Sequence, residues 1–261
     1  MIDTAELFSL KGRSALITGG SRGIGRMIAE GFLRAGARVY ISARKADACD
    51  ATAAELSVIG PCVSLPADVS THGGVQQLVA AYQQHEKSLD ILVNNAGAAW
   101  GAPAEDHPLD AWDKVMNLNV RGYFLLSQRV AKKSMIARKQ GRIINIASIA
   151  GLGGNPPEMQ TIAYNTSKGA VVNFTRALAC EWGHYGITVN AICPGFFPSK
   201  MTRGTLENLG EEKLAAHAPL RRLGDDEDLK GITLLYASDA GKHITGQWLA
   251  VDGGVSVVTG G

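Results

Sequence analysis

A doubly wound α/β fold, one parallel sheet covered by helices on both faces, is what the sequence predicts, and three observations carry it. Seven short apolar runs recur along the 261 residues. Each is uniformly apolar rather than alternating, as a strand buried on both faces must be. Between them lie stretches with helical spacing of apolar side chains, so successive strands are joined by helical crossovers and pair in parallel.

The first strand is expected over Ala15 to Thr18. A glycine loop, Thr18-Gly19-Gly20-Ser21-Arg22-Gly23-Ile24-Gly25, follows it. The helix after the loop has Ile24, Ile28 and Phe32 on one face and Gly36 placed to end it. Further strands are expected over Val39 to Ala43, Cys62 to Leu65, Ile91 to Val93, Ile143 to Ala147, Ile187 to Ile192 and Trp248 to Val251. The alternation breaks once, between Phe196 and Gly224. That segment is long for a plain connection and reads as a substrate-binding excursion or lid. Asp225, Asp226, Glu227 and Asp228 are expected to open the next helix, where carboxylates meet the positive end of the dipole. Without a linker or repeat, residues 1–261 are expected to form one domain.

A net charge of +2 with no like-charge block excludes a nucleic-acid-binding footprint, and 46% hydrophobic residues exclude a disordered chain. No apolar run is long enough to span a membrane, and Met1 to Glu6 lack the basic start and apolar stretch of a secretory signal. A cytoplasmic protein with small-molecule partners is expected. Cys49, Cys62, Cys180 and Cys193 form no C-x-x-C pair and read as reduced core residues. The six histidines show no ligand spacing, so no metal is expected. Asn165-Thr166-Ser167 is formally a glycosylation acceptor, but it lies within the segment that carries the chemistry.

The glycine loop stands between a strand and a helix. Gly19, Gly23 and Gly25 permit a tight turn and close approach of phosphate oxygens, while the helix start supplies N–H groups and positive potential. Many such sites place a carboxylate about 20 residues further on, for a ribose 2′-hydroxyl. Here the second strand runs into Ser42-Ala43-Arg44-Lys45. Arg44 and Arg22 suit a 2′-phosphate, so NADP(H) is the expected cofactor.

Tyr164 and Lys168 stand four apart, hence on one helix face. An ammonium near a phenol favours the phenolate and lowers a pKa that is ordinarily about 10. Such a phenol exchanges protons with an alcohol or carbonyl. Gly19-Gly20-Ser21-Arg22-Gly23 also satisfies the G-x-S-x-G elbow of serine hydrolases. That reading leaves Tyr164 and Lys168 unexplained. A non-catalytic NADP sensor on the same fold is a further alternative, and Tyr164 argues against it.

Taken together, these pieces resemble the short-chain dehydrogenase/reductase family over nearly the whole chain. The matching residues, in family order, are Thr18 to Gly25, Asp68 in Ala67-Asp68-Val69, Asn94-Asn95-Ala96-Gly97, Asn119, Ser148, Tyr164 with Lys168, Pro194-Gly195 and Asp252-Gly253-Gly254. The resemblance implies a Rossmann fold, a homotetramer or homodimer, and a tetrad. In that tetrad Tyr164 exchanges the proton and Ser148 hydrogen-bonds the substrate oxygen. Lys168 lowers the phenol pKa and holds the nicotinamide ribose, and Asn119 holds a water that links Lys168 to solvent. It implies that Asp68 and Val69 meet the adenine, and that Asn94, Ala96 and Gly97 pass close to the adenosine ribose. After Pro194-Gly195, relatives place a threonine for the nicotinamide amide. Here Phe196-Phe197-Pro198-Ser199 follows, so Ser199 supplies the hydroxyl beside Phe197. The run 197–203 and Trp100 resemble 3-oxoacyl reductases linked to rhamnolipid synthesis, implying a 3-oxoacyl thioester or other β-keto substrate. Fatty-acid-synthesis relatives dock an acyl carrier protein through two basic positions. Lys139 and Tyr185 stand at the matching places, which implies weakened docking.

Overall fold

The apolar runs become seven strands: Ser14–Thr18 (β1), Arg38–Ser42 (β2), Cys62–Ser64 (β3), Ile91–Asn94 (β4), Gly141–Ile146 (β5), Ile187–Pro194 (β6) and Trp248–Val251 (β7). The structure, a computed structural model, describes residues 3–258. All pairings are parallel, in the order β3-β2-β1-β4-β5-β6-β7. The order reverses between β1 and β4, and a doubly wound sheet opens its ligand crevice at that point, beyond the carboxyl ends of the strands.

The helices are Thr4–Leu7 (α1), Gly23–Arg34 (α2), Ala46–Leu56 (α3), His72–Gln83 (α4), Leu109–Met116 (α5), Gly122–Val130 (α6), Ile136–Arg138 (α7), Ile162–Trp182 (α8), Arg203–Leu209 (α9), Glu211–His217 (α10) and Lys230–Ala237 (α11). Ile28 and Phe32 of α2 are fully buried in one core layer, together with Cys49, Leu229 and Tyr236. Leu78 and Tyr82 of α4, Leu126 of α6 and Leu178 of α8 fill the layer on the other face. Each such side chain contributes roughly 1.5–3 kcal/mol by leaving water. Gly36 ends α2 as expected, at φ +92°, a conformation that a Cβ disfavours.

A connected set of buried polar groups fixes α8 against the sheet. Asn94 Nδ2 donates to Ser127 Oγ and Asn145 Oδ1, at 3.0 and 2.9 Å. Asn145 Nδ2 donates to Thr175 Oγ1 at 2.9 Å, and that hydroxyl donates to the Val171 carbonyl of α8 at 2.8 Å. Every link is satisfied, so the network specifies one placement of the helix that carries Tyr164 and Lys168.

Two sequence expectations change. The acidic run does not open a helix: α11 begins at Lys230, and Asp228 instead grips Arg222 in the preceding turn, with Oδ1 2.7 Å from Nη2. The guanidinium outcompetes a helix end as a partner because it offers charge and directed N–H groups together. Cys49 and Cys193 are buried as expected, but Cys180 lies on the exposed side of α8. Among the described residues no helix is long and apolar enough to cross a membrane.

Candidate active site

A cleft of about 410 Å³ opens where the switch point places it, lined by the segments that follow β1, β2, β3, β4, β5 and β6. Its floor at β1 is the glycine loop. Gly19 and Gly23 adopt φ +67° and +50°, turning the chain back over the start of α2. A Cβ on Gly25 would collide with the Gly19 carbonyl and lie 2.5 Å from Asn95 Nδ2, so only glycine closes this turn. Thr18, Gly19, Ser21, Arg22, Gly23, Ile24 and Gly25 all line the cleft. Thr18 acts on the protein itself: its Oγ1 accepts from the N–H groups of Asn95 and Ala96, both at 3.0 Å, and so holds the turn after β4.

At the end of β2, Ser42 and Arg44 line the cleft opposite Arg22. Ser42 Oγ is buried without a hydrogen-bond partner. A buried unpaired hydroxyl is costly, which marks a site shaped for a polar ligand atom. With two guanidinium groups and no carboxylate at this strand end, the residues present fit the phosphorylated ribose of NADP(H).

After β4 the expected and observed residues differ by one. Asn94 does not line the cleft. The strand extends to Asn94, one residue beyond the expected end, and strand alternation turns that side chain into the buried network. Asn95 faces the cleft instead, with Nδ2 donating to the Thr18 carbonyl at 2.8 Å, and Ala96 and Gly97 follow it along the wall. Val69 lines the cleft. Asp68 is not among the lining residues, and its carboxylate accepts from the Ser70 N–H and hydroxyl at 3.0 and 2.6 Å.

Ser148, Tyr164 and Lys168 gather at one wall, and Asn119 is buried behind it and does not line the cleft. Ser148 follows β5, its hydroxyl accepting from the Ala150 N–H at 3.2 Å, and it lines the cleft together with the half-buried Tyr164. The Lys168 ammonium donates to the Ile146 carbonyl at 2.7 Å and lies 5.6 Å from the centroids of both the Tyr164 and Tyr123 rings. Asn119 sits in a π turn, Asn117–Arg121, inside the continuous helical run from α5 to α7. Such turns are frequent at functional sites. Its side chain clamps Ala98, accepting from the N–H at 2.8 Å and donating to the carbonyl at 2.9 Å, and also donates to Ser167 Oγ at 2.9 Å. The amide's hydrogen bonds thus go to Ala98 and Ser167.

The protonation pattern differs from the expectation that Lys168 brings the phenol towards neutrality. Burial is the dominant effect on Tyr164 and raises its pKa, with the Ser148 hydrogen bond opposing. Burial also lowers Lys168 to about 8 and raises the neighbouring Cys193 thiol to about 11. The Lys168 ammonium directs a hydrogen bond at the Ile146 carbonyl.

The fourth wall comes from β6. Pro194 and Gly195 line it, and a Cβ on Gly195 would lie 2.7 Å from Asp252 Cβ, so the missing side chain lets the two glycine-bearing segments pack closely. Phe197 is buried against Gly224, and the Gly224 N–H donates to the Phe196 carbonyl at 2.9 Å, closing the base of the excursion that carries α9 and α10. The Ser199 hydroxyl lies 3.0 Å from Thr202 Oγ1, and both residues line the cleft. Lys200 and Thr202 line the cleft from within the excursion expected to bind substrate, but Ser42, Asn95 and Lys114 were missed as lining residues. Asn95 and Thr202 stood inside motifs already singled out, whereas Lys114 has no sequence signal beyond its charge.

The family model described as enoyl-(acyl carrier protein) reductase matches residues 19–256. The chain belongs to the short-chain dehydrogenase/reductase family. It is therefore an oxidoreductase of that family. The rhamnolipids biosynthesis 3-oxoacyl-[acyl-carrier-protein] reductase of Pseudomonas aeruginosa is 45% identical over 251 residues, covering 95% of this chain and 97% of its own. The solved P. aeruginosa RhlG/NADP active-site complex superposes with a TM-score of 0.90 at 44% identity, covering 96% of this chain and 99% of that one. A gluconate 5-dehydrogenase from Burkholderia cenocepacia, solved with NADP and tartrate, gives a TM-score of 0.92 at 33% identity, covering 98% and 100%. This short-chain dehydrogenase/reductase is thus similar both to thioester reductases and to sugar-acid dehydrogenases.

Proposed function

We propose that the cleft binds NADP(H) and reduces a carbonyl compound, a 3-oxoacyl thioester or similar β-keto substrate. The observation that carries this reading is the convergence of Tyr164, Ser148 and Lys168 on a cleft whose other end presents Arg22, Arg44 and the unpaired Ser42 hydroxyl. When bound, the reduced nicotinamide supplies the hydride for the carbonyl carbon. The phenol of Tyr164, kept protonated by burial, gives its proton to the substrate oxygen. Ser148 orients that oxygen, and the Lys168 ammonium favours the negative charge left on Tyr164. Asn119 holds the Ala98 strip in place beside them. Thioesters are preferred over sugar acids because of the closer likeness to the P. aeruginosa thioester reductase, 45% against 37% identity to a gluconate 5-dehydrogenase, and the resemblance carried by the run 197–203. With one cation at the carrier-docking positions, Lys139 and Tyr185, a small thioester should serve nearly as well as a carrier-linked one. The exposed Trp248 and Leu249 of β7 and Phe124 of α6 support burial between copies of the chain as a homodimer or homotetramer. Light scattering at micromolar concentration should give a multiple of the 27.5 kDa chain mass. A stable, active monomer would contradict it.

The charge arrangement gives the first test. NADPH should bind at least about tenfold more tightly than NADH, by the loss of roughly one charge-assisted contact. Arg44→Ala should narrow that gap. Equal binding of the two cofactors by the wild type would overturn the NADP(H) assignment.

Lys168 gives a second. In the protein alone its pKa lies near 8, below its ordinary value, and a ligand bearing phosphates and ribose hydroxyls favours the charged amine. Binding NADPH should therefore take up a proton, and its affinity should fall as pH rises through about 8. Calorimetric titration slightly above that pH, in two buffers of different ionisation enthalpy, should show this uptake in the wild type and lose it in Lys168→Met. Equal uptake by both proteins would remove Lys168 from cofactor binding.

A further inference from the structure

The side chains lining the cleft include five cations, Arg22, Arg44, Lys114, Lys168 and Lys200, and among the described residues no Asp or Glu. Arg22 and Arg44 are accounted for by the nucleotide, and Lys168 by proton transfer. Lys200 belongs to the excursion after β6. Lys114 is different: it projects from the regular helix α5, and its ammonium lies 5.5 Å from the centroid of the Trp100 ring. The ring face attracts the cation and limits the orientations of an otherwise flexible side chain.

The strip that carries Trp100 locates this pair. Asn119 clamps Ala98, two residues before Trp100, and the N–H of Ala102, two residues after it, donates to the Gln160 carbonyl at 2.9 Å. Gln160 lies in the loop that leads into α8 and Tyr164. The strip thus crosses from β4 towards the β5 side, whereas Arg44 leaves β2, two strands away in the other direction. Lys114 and Trp100 stand on the β4 side of the cleft, away from Arg44. Among the described residues Lys114 pairs with no carboxylate. Its charge is therefore left for whatever enters the cleft.

We propose that Lys114, steadied by Trp100, is a specificity residue that selects carbonyl substrates bearing a second, anionic group. The phosphate of a phosphopantetheine arm and the carboxylate of a keto sugar acid offer the same chemistry. The inference rests on the carbonyl-reductase reading of the cleft, but not on which of these two classes is the substrate.

Two matched pairs separate the sources. Acetoacetyl-4′-phosphopantetheine is compared with acetoacetyl-pantetheine, and 5-ketogluconate with its methyl ester, each with saturating NADPH. The wild type should favour the anionic member of at least one pair by about five- to tenfold in kcat/KM, through KM rather than kcat, and less at high salt. Lys114→Met should erase that preference and Lys114→Glu reverse it. A preference in the thioester pair assigns the phosphate as the group bound. A preference confined to the keto acid pair retains the role of Lys114 and overturns the thioester reading of the substrate. Ratios in both pairs that are the same in wild type and Lys114→Met would overturn the inference. So would a loss of NADPH affinity in Lys114→Met with unchanged ratios, since it would place Lys114 at the nucleotide.

Discussion

Replacing Tyr164 with phenylalanine is expected to lower turnover at least about a hundredfold while leaving NADPH binding nearly intact, the usual scale for loss of a general acid. The substitution removes one hydroxyl and keeps the ring. The ring packs beside Lys168, so the ammonium keeps its Ile146 carbonyl and its second aromatic neighbour, Tyr123. What disappears is the proton donor that shares the cleft wall with Ser148. Stopped-flow turnover and fluorescence titration of NADPH, made on the same preparation, separate the two effects. A folded Tyr164→Phe protein with near-normal turnover would show that another group delivers the proton.

Gly25→Val should cost NADPH about ten- to a hundredfold in affinity, corresponding to roughly 1–3 kcal/mol of forced backbone displacement. The Cβ alone meets the Gly19 carbonyl and Asn95 Nδ2. Neither can yield cheaply. The first is backbone of the phosphate loop, and the second, from the turn after β4, is hydrogen-bonded to the Thr18 carbonyl at the end of β1. Gly231→Ala is the matched control, because a Cβ there on α11 meets nothing within 4 Å. It should leave affinity unchanged and slightly favour the helix. Circular dichroism establishes that both variants are folded. Unaltered NADPH affinity in Gly25→Val would mean that the loop does not hold the diphosphate.

The strands were legible because burial on both faces leaves a run of apolar side chains with no other purpose, and β3 and β7 start at the residues expected. So was the gathering of Ser148, Tyr164 and Lys168, since each stands in a motif with fixed spacing. What escaped was information held in three dimensions. Whether Asn94 or Asn95 faces the cleft depends on β4 running one residue further, which no local signal marks. The partner of Asp228 is Arg222, six residues back across a turn, and the helix that was expected to claim the acid starts later. The phenol pKa followed burial rather than the lysine four residues on, because depth in the protein is not written in spacing. Lys114 lines the cleft beside Trp100, fourteen residues back along the chain, a pairing that no local pattern marks.

The central claim, that this cleft couples NADPH to reduction of a carbonyl group, is tested most directly by product stoichiometry. Wild-type protein is mixed with NADPH and a panel of 3-oxoacyl thioesters, keto sugar acids and simple ketones, and loss of the reduced nicotinamide is followed against hydroxy product. One mole of alcohol per mole of NADPH consumed is the predicted result for at least one panel member, with the rate abolished in Tyr164→Phe. Tight NADPH binding with no alcohol formed from any compound would contradict the claim and identify the chain as a sensor of the nucleotide.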